Sequence, residues 1–327
     1  MSSYLDKFRN KKIFAQSHAD LDGIGSTTIG LYYIRPIALK YDTHNSNDYS
    51  CEDIGLETFK NYDIIIFTDF SPTESVVHFL NENEIDYLIF DHHISRKESL
   101  ENLAGDKFIY DSTRCGCKIF FDTITKGLRV KNAIYQFVEY VSVYDLFQMQ
   151  SNLWREARGL NNILWGMISW FSDLESTPKY QRFIDAMIYK FSFEKHFYLN
   201  DYEIGLMEKA EIKERDNYER AKKNLSVRKD GQGNIYGYFE CTSKLSIVSN
   251  WILKERQELK YVICHSTFGD DKGIVPKVSI RSLDDRGIDC SVMASLFGCG
   301  GHKNAASVEF KNFEDFEKLR KGKMHLI

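Results

Sequence analysis

Four short apolar runs govern what the first half of this chain can become: "IFAQS" (13–17), "IRPIAL" (34–39), "DIIIFTDF" (63–70) and "DYLIFDHH" (86–93). A fifth, "KFIYDS", follows at 107–112. Each is rich in Ile or Phe, and amphipathic stretches such as "TESVVHFLNENE" (73–84) lie between them. Continuous apolar strands alternating with helical patterns imply βαβ units around a mostly parallel sheet covered on both faces. Ligands of such sheets bind beyond the carboxyl ends of the strands.

The pattern turns helical from about 115 to 190, through "CKIFFDTITKGL", "NAIYQFVEYVSVYDLF" and "PKYQRFIDAMIYKF". The highly charged segment 203–225 reads as a long solvated helix, a connector more than a second core. Beyond it, "GQGN" (231–234) marks a turn, "IYGYFE", "YVICHS" and "KVSIRSL" read as strands, and "CSVMASLFG" as a helix. The expectation is an α/β chain of 327 residues with an N-terminal domain at 1–190, a helical linker at 191–225 and a smaller α/β domain at 226–327. A net charge of −4 does not indicate a broad basic nucleic-acid footprint, so any nucleic-acid partner should be short or held locally. The seven cysteines form no CxxC pair, which suits buried thiols in a reducing compartment. Cys115 and Cys117 could clip a metal, but no second pair supports them. Without the apolar core of a signal peptide or an apolar run long enough for a bilayer, the chain is expected in the cytoplasm.

Chemistry concentrates at the strand ends. In "SHADLDGIGS" (17–26), His18, Asp20 and Asp22 recur at two-residue intervals, which would put them on one face of an extended backbone. Asp69 ends "IIIFTD", Asp91-His92-His93 ends "YLIF", and Asp145 sits among apolar neighbours in "VSVYDLF". A carboxylate buried without a partner costs several kcal/mol. Converging, His18, His92 and the four carboxylates Asp20, Asp22, Asp69 and Asp145 would suit Mn²⁺ or Mg²⁺ better than a thiolate-selected Zn²⁺. Plainer readings stand beside each: a turn cluster at "DLDG", a helix cap at Asp69, a polar loop at 91–93, an Arg- or Lys-paired Asp145. Likewise, the glycines at 298–301 could form only a tight turn, Arg281 could be a strand-surface cation, and "LWGMISWFSDL" (164–174) reads as helix packing before base stacking.

"SHADLDG", "FTDFS", "DHH" and "YDLF" occur in the order and spacing of the four motifs of the DHH phosphoesterase family. "GCGGHKNAASVEF" (298–310) resembles the glycine-rich signature of its accessory DHHA1 domain. Length and layout resemble the oligoribonuclease (nanoRNase) branch, related to RecJ exonucleases. The resemblance implies two Mn²⁺ ions: His18 and Asp20 on one, Asp22, His92 and Asp145 on the other, and Asp69 bridging. It also implies that Asp91 supports His92 or lies close to the ions, that His93 faces the scissile phosphate, and that Gly300, Gly301, His302 and Arg281 receive a substrate phosphate. Cys299 interrupts the family's glycine triplet, which matters if that position needs a positive φ.

The expected activity is a metal-dependent phosphodiesterase releasing nucleoside monophosphates from short single-stranded oligonucleotides or dinucleotides by water that two cations activate. Cyclic dinucleotides, their linear products or the bisphosphorylated nucleotide pAp are alternative substrates, and a catalytically silent nucleotide sensor is the alternative of another class. Monomer and homodimer both stay open, as does cleavage polarity.

Overall fold

In the computed structural model, residues 3–170, 179–266, 277–310, 312–323 and 325–326 are described. They form two compact units, Met1–Met207 and Glu208–Ile327.

The first unit is built on β1 (Lys12–Ser17), β2 (Lys40–Asn45), β3 (Ile64–Thr68), β4 (Asp86–Asp91) and β5 (Phe108–Tyr110). All neighbours are parallel, in the order β2-β1-β3-β4-β5. That order reverses direction between β1 and β3, which opens a crevice at their carboxyl ends. Strand alternation splits the core in two. Ile13, Ala15, Ile64, Ile66, Leu88 and Phe90 face one apolar cluster, while Phe14, Ile65, Phe67, Tyr87 and Ile89 face the other. The helices of this unit are α1 (Leu21–Tyr33), α2 (Glu74–Glu82), α3 (Lys97–Ala104), α4 (Gly116–Ile124), α5 (Asn132–Asp145), α6 (Trp154–Trp170) and α7 (Gln181–Phe193). With α2 and α3 on one face and α1, α4 and α5 on the other, both faces are covered, which is why β1, β3 and β4 could be continuously apolar.

One expected strand is displaced. "IRPIAL" is not extended: Ile34 closes α1, and β2 begins only at Lys40 with the polar sequence "KYDTHN". As the edge strand, β2 pairs only with β1 and leaves its residues half-buried, so it needs no apolar run.

The long helix α8 (Asp201–Asn224) forms as expected and carries the division between the units. It is not wholly solvated, however. Glu214, Asn217 and Ala221, at helical spacing, are buried. Asn217 donates to the Ser243 carbonyl at 3.1 Å and accepts from Thr242 Oγ1 at 3.0 Å, so a polar-looking face is in fact a packed one.

The second unit has a six-stranded sheet in the order β10-β11-β9-β8-β7-β6. Its strands are β6 (Ser226–Lys229), β7 (Ile235–Cys241), β8 (Tyr261–Ser266), β9 (Lys277–Ser282), β10 (Gly301–His302) and β11 (Ala305–Glu309). Only β7 and β8 are parallel, and α9 (Leu245–Glu255) makes the crossover between them. α10 (Cys290–Ser295) and α11 (Phe313–Arg320) complete the unit. Residues 171–174 of the aromatic stretch lie outside the described residues. Among the described residues, no helix is long and apolar enough to cross a membrane.

Candidate metal centre

The motif residues meet at the carboxyl edge of the parallel sheet, though not by the extended geometry that their spacing suggests. β1 ends at Ser17, one residue before His18. Asp20 is the N-cap of α1, its Oδ1 accepting from the Gly23 amide at 3.1 Å, and Asp22 already lies in the helix's first turn. Capping chemistry ends the strand and folds the segment back on itself. Gly23 is needed there because a Cβ would come within 2.0 Å of the His18 carbonyl oxygen. Asp69 follows β3 with φ +52°, in the left-handed region that a carboxylate-bearing residue tolerates better than most. It caps no helix, since α2 starts after Thr73. Asp91 is the last residue of β4, and Asp145 the last of α5.

Three overlapping groups result, each with ligand-type atoms close enough to hold a metal ion: His18, Asp20 and Asp69; Asp22, His92 and Asp145; and Asp69, Asp91, His92 and His93. His18 Nδ1 is 2.8 Å from Asp20 Oδ2 and 3.8 Å from Asp69 Oδ2. His92 Nε2 is 3.4 Å from Asp69 Oδ1, 3.4 Å from Asp145 Oδ2 and 3.9 Å from Asp22 Oδ2. Asp69 therefore offers one oxygen to each histidine. Its Oδ1 and Asp145 Oδ2 are buried with no hydrogen-bond partner among the described residues. Buried carboxylate oxygens left without a donor cost free energy unless a cation takes them, so the donor set fits a divalent ion.

The electrostatics point the same way. Burial, reinforced by the facing carboxylates, pushes Asp22 and Asp145 up to about 7 and raises Asp69 as well. Burial and the neighbouring His93 hold His92 low, which keeps its ring neutral and able to coordinate. For His18, burial acts downward, but the Asp20 carboxylate outweighs it and raises the pKa. A site in which like charges raise one another is one that cations stabilise.

Asp91 lies in the third of the three groups, beside both histidines. Its Oδ1 is 2.8 Å from His93 Nδ1 and accepts from the His92 and His93 amides at 2.7 and 3.3 Å, while Ser71 Oγ donates to Oδ2. Asp91 meets the His92 backbone amide and the His93 ring. Burial alone would lower His93, but Asp91 raises it to about 9. The sequence reading missed Ser71, although it lies within the quoted "FTDFS". It also missed Tyr49, which stacks on His18 (centroids 6.0 Å apart) and carries the Arg96 guanidinium 5.0 Å above its ring.

In the second unit, Arg281 donates to the Ile280 and Ala306 carbonyls at 2.9 and 3.1 Å and to Ser246 Oγ at 3.0 Å. Gly300 has nothing within 4 Å of where a Cβ would be, whereas at Gly301 a Cβ would come within 2.5 Å of Ala306 Cα. Cys299 is not among the described residues with positive φ. Its Sγ accepts from the Glu309 amide at 3.4 Å, so that position does not require glycine. The His302 backbone pairs with Ala305, and its side chain lies outside the described residues.

Residues 12–142 match the family described as "DHH family, N-terminal domain". The matched segment lies within the first unit. Over 306 residues the chain is 26% identical to oligoribonuclease NrnB of Bacillus subtilis (strain 168), covering 89% of this chain and 71% of that protein. Among solved structures, RecJ of Thermus thermophilus in complex with Mn²⁺ shares the fold with a TM-score of 0.57 at 15% identity, over 98% of this chain and 54% of RecJ. The pGpG-specific phosphodiesterase PggH of Vibrio cholerae aligns with a TM-score of 0.55 at 14% identity, covering 95% and 97% of the two chains.

Proposed function

We propose that this protein is a divalent-metal-dependent phosphodiesterase that hydrolyses short oligonucleotides to nucleoside monophosphates. The observation that carries this reading is the division of Asp69, with Oδ2 toward His18 and Oδ1 toward His92. One carboxylate shared by two histidine-carboxylate groups is the arrangement that two cations need. His18 and Asp20 would hold the first ion, Asp22, His92 and Asp145 the second, and Asp69 would bridge; Mn²⁺ suits this mixed set, with Mg²⁺ the alternative. When bound, such ions supply the activation of water and the neutralisation of charge on the phosphoryl oxygens.

The chain's own residues do the rest. Asp91 takes the His93 Nδ1 proton in a hydrogen bond and keeps the ring protonated near neutral pH. His93 Nε2–H is then a proton donor for the leaving ribose oxygen as the P–O bond breaks and water oxygen bonds to phosphorus. In the second unit, the open backbone at Gly300, with Gly301, His302 and Arg281, is read as the receiver of a further substrate phosphate.

The similarity to NrnB supports short RNA, and the fold shared with a pGpG phosphodiesterase is compatible with a dinucleotide-sized substrate. A silent sensor is disfavoured, since loss of one or two carboxylates is the simplest route to silence and all are present. The test is product analysis with Mn²⁺ on a labelled dinucleotide, a 5-mer RNA, a 5-mer DNA, pAp and a cyclic dinucleotide. Mononucleotides are expected from the dinucleotide and the RNA, and none with Asp69→Ala. Cleavage undiminished in that variant would overturn the reading, and dinucleotide binding without product would favour the sensor.

A further inference from the structure

The tripeptide Cys115-Gly116-Cys117 turns its backbone amides toward a site carboxylate. It forms the first turn of α4, which lies directly against the carboxylate cluster. The Gly116 amide donates to Asp22 Oδ2 at 2.7 Å and the Cys117 amide to Asp22 Oδ1 at 2.8 Å. The Cys115 thiol lies beside the same carboxylate. Asp22 is fully buried, so two amide donors from one turn define its orientation. The amides take up both oxygens from one side, and Asp22 Oδ2 stands 3.9 Å from His92 Nε2, in one group with Asp145.

Gly116 touches a second member of the cluster as well. A Cβ on it would come within 2.7 Å of the Cα, N and Cβ of Asp69. No side chain can move aside there, because the obstacle is backbone, and that backbone already holds the left-handed conformation at φ +52°. One turn thus fixes Asp22 by hydrogen bonds and Asp69 by contact. In the reading above, these two carboxylates belong to different ligand sets, one holding the second ion and the other bridging.

We infer that Gly116 is a positioning residue, and that the α4 turn Cys115–Cys117 is a backbone clamp setting the relative placement of Asp22 and Asp69 for divalent-cation binding. The inference rests on the proposed function, because it assigns a role in holding ions at that site. Partners of metal ligands typically contribute ten- to a hundredfold to metal affinity. Gly116→Ala is therefore expected to weaken Mn²⁺ binding by about ten- to a hundredfold. It should also raise the Mn²⁺ concentration for half-maximal activity in parallel, with far-UV circular dichroism unchanged and kcat recovering at saturating Mn²⁺.

Calorimetric titration of the full chain with Mn²⁺ is the experiment, with Gly159→Ala as the packing control. At Gly159 a Cβ meets only the Met207 side chain, at 2.5 Å, so that variant can lose thermal stability without losing Mn²⁺ affinity. If Gly116→Ala does not fold, Cys115→Ala removes the thiol beside Asp22 and should weaken Mn²⁺ a few-fold, while Cys115→Ser, which keeps a polar hydrogen there, should recover the affinity. Wild-type protein that binds no Mn²⁺ would sink the proposed function itself. Wild type that binds, alongside folded Gly116→Ala or Cys115→Ala binding equally well, would overturn the clamp alone.

Discussion

Asp91 and His93, two residues apart, face each other across 2.8 Å between Oδ1 and Nδ1. This contact raises the His93 pKa to about 9 against a desolvation effect in the opposite direction. If His93 protonates the leaving oxygen, activity should decline on the alkaline side near that value. Asp91→Asn keeps the shape and removes the charge. It is expected to lower kcat by about a hundredfold with KM little changed, and to shift the alkaline limb of the pH–rate profile downward. An unshifted limb would mean that some other group sets it.

Metal-free protein should lose stability as pH rises. Asp22 and Asp145 bind protons more tightly folded (about 7) than at their ordinary value of 3.8, and His93 likewise (about 9, against 6.5). The folded state therefore holds the extra protons, and stability falls from about pH 4 to 7 through the carboxyls, then from about 6.5 to 9 through His93. His92, held low, offsets part of this below 6.5. Asp20 and Asp91, also held low, act in the opposite sense only at the acid end. Thermal unfolding in chelator should show a lower Tm at pH 8.5 than at pH 6. Added Mn²⁺ should raise Tm most at the higher pH, because the ion displaces protons. A flat profile would argue against the crowded carboxylates.

Asp145→Asn separates stability from function. Removing one of the mutually repelling charges should stabilise the metal-free chain by about 1 kcal/mol, a few degrees in Tm, while abolishing tight binding at the second ion. Denaturant titration in chelator and Mn²⁺ calorimetry measure the two effects. Destabilisation of the metal-free chain would contradict the assignment.

Cys299→Gly restores the glycine triplet of the resembled family. Because Cys299 has no positive φ and its sulfur accepts from the Glu309 amide, the substitution should leave activity within about twofold and cost about 1 kcal/mol of stability through added backbone freedom. A large gain in activity would show that the cysteine obstructs a phosphate site.

The parallel core was legible because β3 and the central residues of β1 and β4 are buried on both faces and so are apolar. β2 was not, because an edge strand needs no apolar run, and "IRPIAL" is apolar for packing around the end of α1. The buried face of α8 was hidden because it is polar: Asn217 satisfies its amide against Thr242 and Ser243, partners that no periodicity reveals. At the site, the side chains of His18, Asp20, Asp22, Asp69, His92 and Asp145 were readable from their motifs. The α4 turn was not, since backbone amides of Gly116 and Cys117 leave no signature in residue type. His93 was readable as a candidate, but its link to Asp91 depends on a local fold that the letters do not specify.

Whether Asp69 joins two ions is decided by counting them. Mn²⁺ binding to full-length protein, measured by calorimetry alongside anomalous scattering from a manganese-soaked crystal, should give two ions per chain with an Asp69 carboxylate between them. Asp69→Asn should retain one at most and lose product formation from a dinucleotide. A single ion in the wild type, or two ions still bound in Asp69→Asn, would contradict the shared carboxylate on which the proposed chemistry stands.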